Sequence, residues 1–323
     1  MLYHKDFKDT ILLEPLNAGA DSLKIVSGYA THTMASWHIT EIAARSYLPI
    51  EITLIVGMCP LDGLSVDVHR GFQAIVDRNG TDNLSELTCQ YIIEGAPVHS
   101  KLYIWEQNGN PITAFLGSAN YTQAAFSTAR NELLHPCDPF EALKYFQSIE
   151  PRSMYCTHSE VEDYVNLKQV HPVLEAEDGP LVSLKGAGVQ SITLSLLTRN
   201  KDVGYGSGIN WGHRRNGIKR EPNQMYIHLP IHIAQSGFFP LGKKHFSVLT
   251  DDSKQLILRA EQQNDKAITT PLNNSLLGEY FRNRIGVANG AFITKQDLIN
   301  YGRTDVTFYK LDEEQYFMDF SIA

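Results

Sequence analysis

Cysteine is scarce in this chain: 323 residues hold four, Cys59, Cys89, Cys137 and Cys156. No pair has C-x-x-C spacing and no histidine stands at a zinc-finger offset. Neither a disulfide framework nor a structural metal is therefore expected, and buried, reduced thiols in a cytoplasmic protein are. Long hydrophobic runs are missing as well. No apolar stretch approaches the ~20 residues that cross a bilayer. Residues 1–10 (MLYHKDFKDT) lack the apolar core of a signal peptide, so no membrane role is expected. There is no internal repeat, no low-complexity segment and no G-x-x-x-x-G-K-[ST] phosphate loop. Positive charge is also short. Against 36 Asp and Glu stand 28 Lys and Arg, a net charge of −8. As an average, that argues against a nucleic-acid partner.

What is present suits a folded protein: 43% of residues are hydrophobic and 20% charged. The length fits about two domains. Charge is unevenly spread. Residues 1–182 carry 11 basic and 23 acidic side chains, a net of −12, whereas residues 183–323 carry 17 and 13, a net of +4. Such asymmetry points to two functions. Residues 171–180 (HPVLEAEDGP) are polar, acidic and bracketed by prolines. They read as a linker, which sets domains of 1–178 and 179–323.

The first half alternates strand and helix patterns. Residues 23–28 and 52–57 read as buried strands ending in glycine, and 90–93, 98–105 and 112–117 as further strands. Helical spacing covers 34–47, 71–79, 141–146 and 159–165. Asn108-Gly109 predicts a hairpin turn. The alternation predicts an α/β domain. The second half offers short strands at 182–184, 192–197, 225–229, 246–250, 256–260, 291–293, 306–311 and 316–322. Turn signals separate them, which predicts an all-β barrel or sandwich. Two helices are expected, over 274–284 and 295–301, the second capped by Thr294.

The chemistry concentrates in His99-Ser100-Lys101, Gly117-Ser118-Ala119-Asn120 and Asn131-Glu132. On a strand, His99 and Lys101 point the same way. Ser118 and Asn120 can turn toward a shared anion. These residue types suit phosphoryl transfer. An imidazole attacks phosphorus and becomes a phosphohistidine. An ammonium and an amide hold the non-bridging oxygens. A carboxylate, Glu132, fixes the imidazole and steadies its cation. With Lys101 as the positive charge, no metal is required. A plain polar strand face would also account for His99 and Lys101, but not for Ser118, Asn120 and Glu132 beside them. The remaining histidines, His38 among them, have no such partners and read as surface or core residues.

These segments resemble the phospholipase D superfamily signature, H-x-K followed by G-S-x-N and a downstream N-x-E. The family often has Asp five positions after the lysine; here Glu106 stands there. The superfamily's mechanism uses two such motifs, one histidine attacking and the other protonating the leaving group. Only one copy occurs here. The resemblance therefore implies a homodimer through the nuclease domain, with a composite site on the two-fold axis.

In the second half, residues 199–220 hold six basic side chains and one acidic, around a glycine-rich loop with interleaved aromatics. Tyr205, Asn210, Trp211, Arg214, Arg215, Lys219, Arg220, Asn223 and Gln224 are the candidate DNA-binding residues there. Asn273, Asn274, Ser275, Tyr280, Arg282 and Arg284 form a second such cluster. Arg, Asn and Gln are the side chains that read purine edges in the major groove. The segments YGSGINWGHR (205–214), REPNQ (220–224), NNSLLGEYFR (273–282) and YGRTDV (301–306) look like the NgoFVII-type restriction endonucleases. That family joins a phospholipase D-like nuclease domain to a B3-like pseudobarrel whose two arms grip double-stranded DNA in the major groove. The resemblance implies a sequence-specific, metal-independent endonuclease with arms at about 205–224 and 273–284. Some members act with a helicase-like ATPase. This chain lacks a phosphate loop, so no cofactor is expected in it and any ATP dependence belongs to a partner subunit. Three readings compete: a lipid-acting phospholipase D-type phosphodiesterase, a DNA-repair phosphodiesterase, and a non-catalytic DNA-binding protein. The absence of a membrane helix and the intact H-x-K and G-S-x-N groups weigh against the first and third.

Overall fold

Short apolar runs within 22–27, 51–56 and 86–92, near-continuous toward their carboxyl ends, bury both faces of three parallel strands. In the computed structural model the strands of this part are β1 (Ser22–Ser27), β2 (Glu51–Val56), β3 (Leu64–Ser65), β4 (Glu86–Ile92), β5 (Leu102–Gln107), β6 (Asn110–Gly117), β7 (Leu134–Cys137), β8 (Ser153–Tyr155) and β9 (Leu167–Lys168). Seven of them form one sheet in the order β7-β6-β5-β1-β2-β4-β8, while β3 and β9 pair separately. The outer strands run antiparallel. Leu23, Ile25, Ile52 and Leu54 face a core shared with Trp37 and Phe72, from the helices His32–Ala44 and Val66–Val76. Val26, Ile55 and Ile104 face the opposite core, closed by Phe146 of the helix Pro139–Ile149. The structure describes residues 2–81, 83–127, 130–169, 174, 180–213 and 220–322.

The hairpin forms where the sequence predicts it. Asn108 (φ 51°) and Gly109 (φ 74°) make a two-residue turn with both residues left-handed, joining β5 to β6. One expectation changes. The strand expected over 98–105 begins only at Leu102, because its neighbour β1 pairs no further than Val26 opposite Leu102. Residues 98–101 approach it outside the ladder, anchored by Val98 N–H donating to Gly57 O at 2.9 Å.

The second part is built on β10 (Ser191–Ser195), β11 (Ile227–His228), β12 (His245–Thr250), β13 (Gln255–Glu261), β14 (Ala267–Thr269), β15 (Asp305–Lys310) and β16 (Gln315–Asp319). They form one sheet in the order β10-β15-β16-β12-β13-β14-β11. Its two end strands touch, so the sheet curls into a near-barrel. Val248, Leu258, Phe308 and Met318 line the interior with Leu277 and Phe281 from the helix Ser275–Ile285. Thr294 caps the helix Lys295–Tyr301 in a reciprocal box with Asp297.

Two strand expectations fail here. Residues 182–184 belong to a helix, Pro180–Gly186, that packs Leu184 on Tyr309 and Phe317. A three-residue apolar run fits either period, and packing decided it. Residues 291–293 are not a strand, because side chains take their backbone groups: Ala291 O accepts from Arg282 and Ile293 bonds Asn210 through both N–H and O. Three of the four cysteines are buried, and Cys137 is half-buried.

Contacts divide the chain into units of residues 1–169 and 170–323. Most of the 171–180 linker lies outside the described residues. With that division Glu175, Glu177 and Asp178 fall in the second unit. The net charges become −9 and +1, so the second unit's basic character lies in its loops and not in its total.

Candidate active site and nucleic-acid interface

The catalytic candidates gather where β1 ends and β5 begins. Register places Leu102 opposite Leu116, so Lys101 O accepts from Gly117 N–H at 3.1 Å and the H-x-K segment lies against G-S-x-N. His99 Nε2 is 3.0 Å from Lys101 Nζ. An ammonium has only protons to offer, so Nε2 presents its lone pair and Nδ1 carries the hydrogen. His99 is exposed, whereas Lys101 is buried. Burial lowers the Lys101 pKa from its ordinary value, and the nearby Glu132 carboxylate partly offsets this.

Asn120 comes to the same place. Its Oδ1 accepts from Tyr29 N–H at 3.0 Å, which leaves the amide hydrogens to donate. A Cβ added at Gly28 would lie 3.0 Å from His99 Cδ2 and 3.4 Å from Asn120 Oδ1. Those two side chains thus converge over one glycine. The G-S-x-N loop is braced from below. Tyr103 hydroxyl donates to Ala119 O at 2.7 Å, and Ser27 Oγ accepts from Tyr121 N–H at 2.9 Å. Tyr121 hydroxyl donates to His38 Nδ1 at 2.9 Å, and His38 Nε2 donates to Leu12 O at 2.9 Å.

Two candidates sit differently from expectation. Ser118 Oγ donates to Glu132 and accepts from Leu133 N–H, so the hydroxyl holds Glu132 instead of standing open for phosphate. Glu132 in turn is bonded to Ser118, not to His99 of its own chain. Glu106, standing where the superfamily often has Asp, is buried in β5 and bonds Ser22 and Lys24, away from His99.

Sequence reasoning missed Gly28 and Tyr29. The Tyr29 ring stands edge-on to His99, centroids 6.0 Å apart, and its hydroxyl donates to Asp62, whose carboxylate raises the phenol's pKa. The signal was available, since Gly28-Tyr29 follows the carboxyl end of a buried strand, where α/β sheets place ligands. Among the described residues no three His, Cys, Asp or Glu side chains cluster to hold a metal ion, and no helix is long and apolar enough to cross a membrane.

The basic loops of the second unit separate into interior and surface. Arg282 is fully buried and donates to Ala291 O, Gly278 O, Asn223 O and Pro222 O. Asn210 bridges Ile293, and Asn223 bonds Glu279 and Gly290 N–H. Ser275 Oγ donates to Glu221. Arg284 is tied to Asp251, which raises its pKa, to Asp252, and to the hydroxyl of the buried Tyr280. These six residues, expected at the DNA surface, are instead engaged within the protein: Asn210 holds Ile293, Tyr280 and Arg284 hold the Asp251-Asp252 turn, and Asn223, Ser275 and Arg282 weld the two loops together. Gly278 lets them meet: a Cβ there would lie 1.7 Å from Asn223 O. Tyr205, Trp211, Arg220, Gln224, Asn273 and Asn274 keep exposed surface. Arg220 lies over the Trp211 ring at 4.1 Å, and Tyr205 stacks on Phe292. Arg214, Arg215 and Lys219 lie outside the described residues.

Among solved structures, the chain is similar to NucT from Helicobacter pylori, 20% identical over 48% of this chain and 97% of that one, with a TM-score of 0.33. It is also similar to the phospholipase D family member Nuc from Salmonella typhimurium, 13% identical over 48% of this chain and 97% of that one, TM-score 0.35. A polyphosphate kinase from Porphyromonas gingivalis is 13% identical over 50% of this chain and 25% of that one, TM-score 0.31. No curated protein matches. Residues 5–163 match the NgoFVII restriction endonuclease N-terminal PLD domain, and residues 184–312 match the NgoFVII C-terminal B3-like DNA-binding domain. With both halves of one family present in order, the chain belongs to the NgoFVII-type restriction endonucleases, a phospholipase D-type nuclease domain followed by a B3-like DNA-binding domain.

Proposed function

We propose that this protein cuts DNA at a specific sequence through a covalent phosphohistidine, without a metal, at a site assembled from two copies of the chain. The observation that carries the reading is the His99–Lys101 pair, Nε2 to Nζ at 3.0 Å, with Asn120 beside it. In the first step His99 Nε2 attacks phosphorus, the P–O bond to the leaving strand breaks, and His99 of the partner subunit gives its proton to that oxygen. In the second, water attacks the phosphohistidine and the same partner imidazole takes the proton back. Lys101 and Asn120 hold the non-bridging oxygens as charge develops. Glu132, held by Ser118, favours the charged form of Lys101, and its other carboxylate oxygen pairs with a histidine across the two-fold axis. The exposed parts of the two basic loops deliver the site to its sequence. Any ATP requirement belongs to a separate helicase-like subunit.

Incubating the pure protein with plasmid DNA in EDTA, with and without ATP, tests this. Discrete fragments in EDTA support it, and strict Mg²⁺ dependence contradicts it. His99→Ala should cut cleavage by at least about 10⁴-fold while leaving DNA binding intact. Lys101→Met should cost about 10²–10³-fold in single-turnover rate.

A further inference from the structure

A cavity of about 390 Å³ in the second unit collects residues from three separate segments. Trp211 comes from the first basic loop and Asn274 from the second. Glu261 and Gln262 come from the end of β13 and the hairpin that leads to β14, with Tyr226 and Thr269 completing the wall. The lining has hydrogen-bonding capacity to spare. Asn274 Oδ1 accepts from Thr269 Oγ1 at 2.7 Å, which leaves its amide hydrogens. Glu261 is fixed by Arg259 through both carboxylate oxygens. Among the described residues, no hydrogen-bond partner engages the Trp211 indole, the Tyr226 hydroxyl or the Gln262 carboxamide.

The backbone at Gln262 bears on the choice of test. Its φ of 70° lies in the left-handed region, where glycine would be at ease and a long side chain is strained. The hairpin turn does not need that side chain, since it is exposed and supports no packing. Asn264 and Asp265 of the same hairpin are left-handed as well, at φ 62° and 50°, so the turn imposes this conformation, and what sets Gln262 apart is that its side chain lines the cavity.

We infer that Gln262 reads a base: its carboxamide meets a base edge in the major groove, making the β13–β14 hairpin a third recognition element beside the two basic loops. A carboxamide offers one donor and one acceptor side by side, the pair that matches adenine N7 and N6. The inference rests on the reading of this unit as a sequence-specific DNA binder. The neighbouring Gln263 is also exposed but does not line the cavity.

Selection from a library of duplexes with a random core, using full-length protein carrying His99→Ala to prevent cleavage, tests it. Gln262→Gly relieves the left-handed backbone, so the hairpin persists and an unchanged melting temperature verifies it. The expected result is a consensus that loses one position, where discrimination falls by about 10- to 100-fold. All other positions and the salt dependence should stay as before, and Gln263→Ala should change nothing. An unchanged consensus for Gln262→Gly overturns the inference. So does uniformly weaker binding with a shallower salt slope, which marks a phosphate contact. If the protein with Gln262 intact selects no consensus at all, the sequence-specific reading fails and takes the inference with it.

Discussion

His38 ties stability to acidity. Its Nε2 donates to Leu12 O and its Nδ1 accepts from Tyr121, so the ring must be neutral, and burial lowers its pKa from 6.5 to about 4. Below pH 6.5 the unfolded chain binds a proton that the folded chain refuses until about pH 4. The contribution is whole above pH 6.5 and is lost as pH falls toward 4, by about 3 kcal/mol for a shift of this size. Urea denaturation from pH 7 to pH 4.5 should show that loss, and His38→Gln, which can keep both hydrogen bonds, should reduce it, with the buried His32 and His69, whose pKa values burial also lowers, keeping their share. Because Tyr121 follows Asn120 directly, the same titration loosens the G-S-x-N loop. Gly28 bears on the proposed chemistry instead. A methyl group there would crowd His99 at 3.0 Å and Met58 at 3.3 Å. Gly28→Ala should lower single-turnover cleavage by about 10- to 100-fold, with melting temperature nearly unchanged, since displaced reacting groups cost rate before they cost stability.

At the scale of elements, the helix Ser275–Ile285 is the keystone of the second unit. Arg282 reaches from it to four carbonyls on three segments. Arg282→Ala strands those carbonyls in the interior and should destabilise this unit by about 2–4 kcal/mol, seen as a lower melting temperature. Its effect on DNA affinity should vanish below the melting transition, whereas a base-reading arginine would lose affinity while fully folded. The two basic clusters were legible in the sequence as polar and basic; their division into a structural root and an exposed rim was not. Asn210, Asn223 and Asn273 look alike in sequence. Only the fold supplies Ile293 and Gly290 as partners for the first two and leaves the third exposed.

At the scale of the molecule, the proposed composite site, with one H-x-K motif from each chain, makes activity depend on association. Sedimentation run alongside single-turnover cleavage should show activity rising with the dimer fraction, and an active monomer would remove the composite site. Charge works at this scale as well. Residues 1–169 carry −9 and residues 170–323 carry +1. The isolated nuclease unit should bind DNA weakly at 0.15 M salt, and the second unit should carry the affinity through local clusters, with binding that falls steeply with salt.

Local chemistry made much of this protein readable from its residues alone. The buried strands follow from short apolar runs ending in glycine or turn residues, the hairpin from Asn108-Gly109, and the candidate group from His99, Lys101 and Asn120 in their spacing, because each depends on near neighbours in the chain. The tertiary structure decided what depends on distant ones. It brought Gly28 and Tyr29 to His99 across about seventy residues, turned Ser118 toward Glu132, and withdrew Arg282 from the surface. A polar side chain has the same formula whether a carbonyl or a ligand satisfies it, and only the folded neighbourhood says which one does.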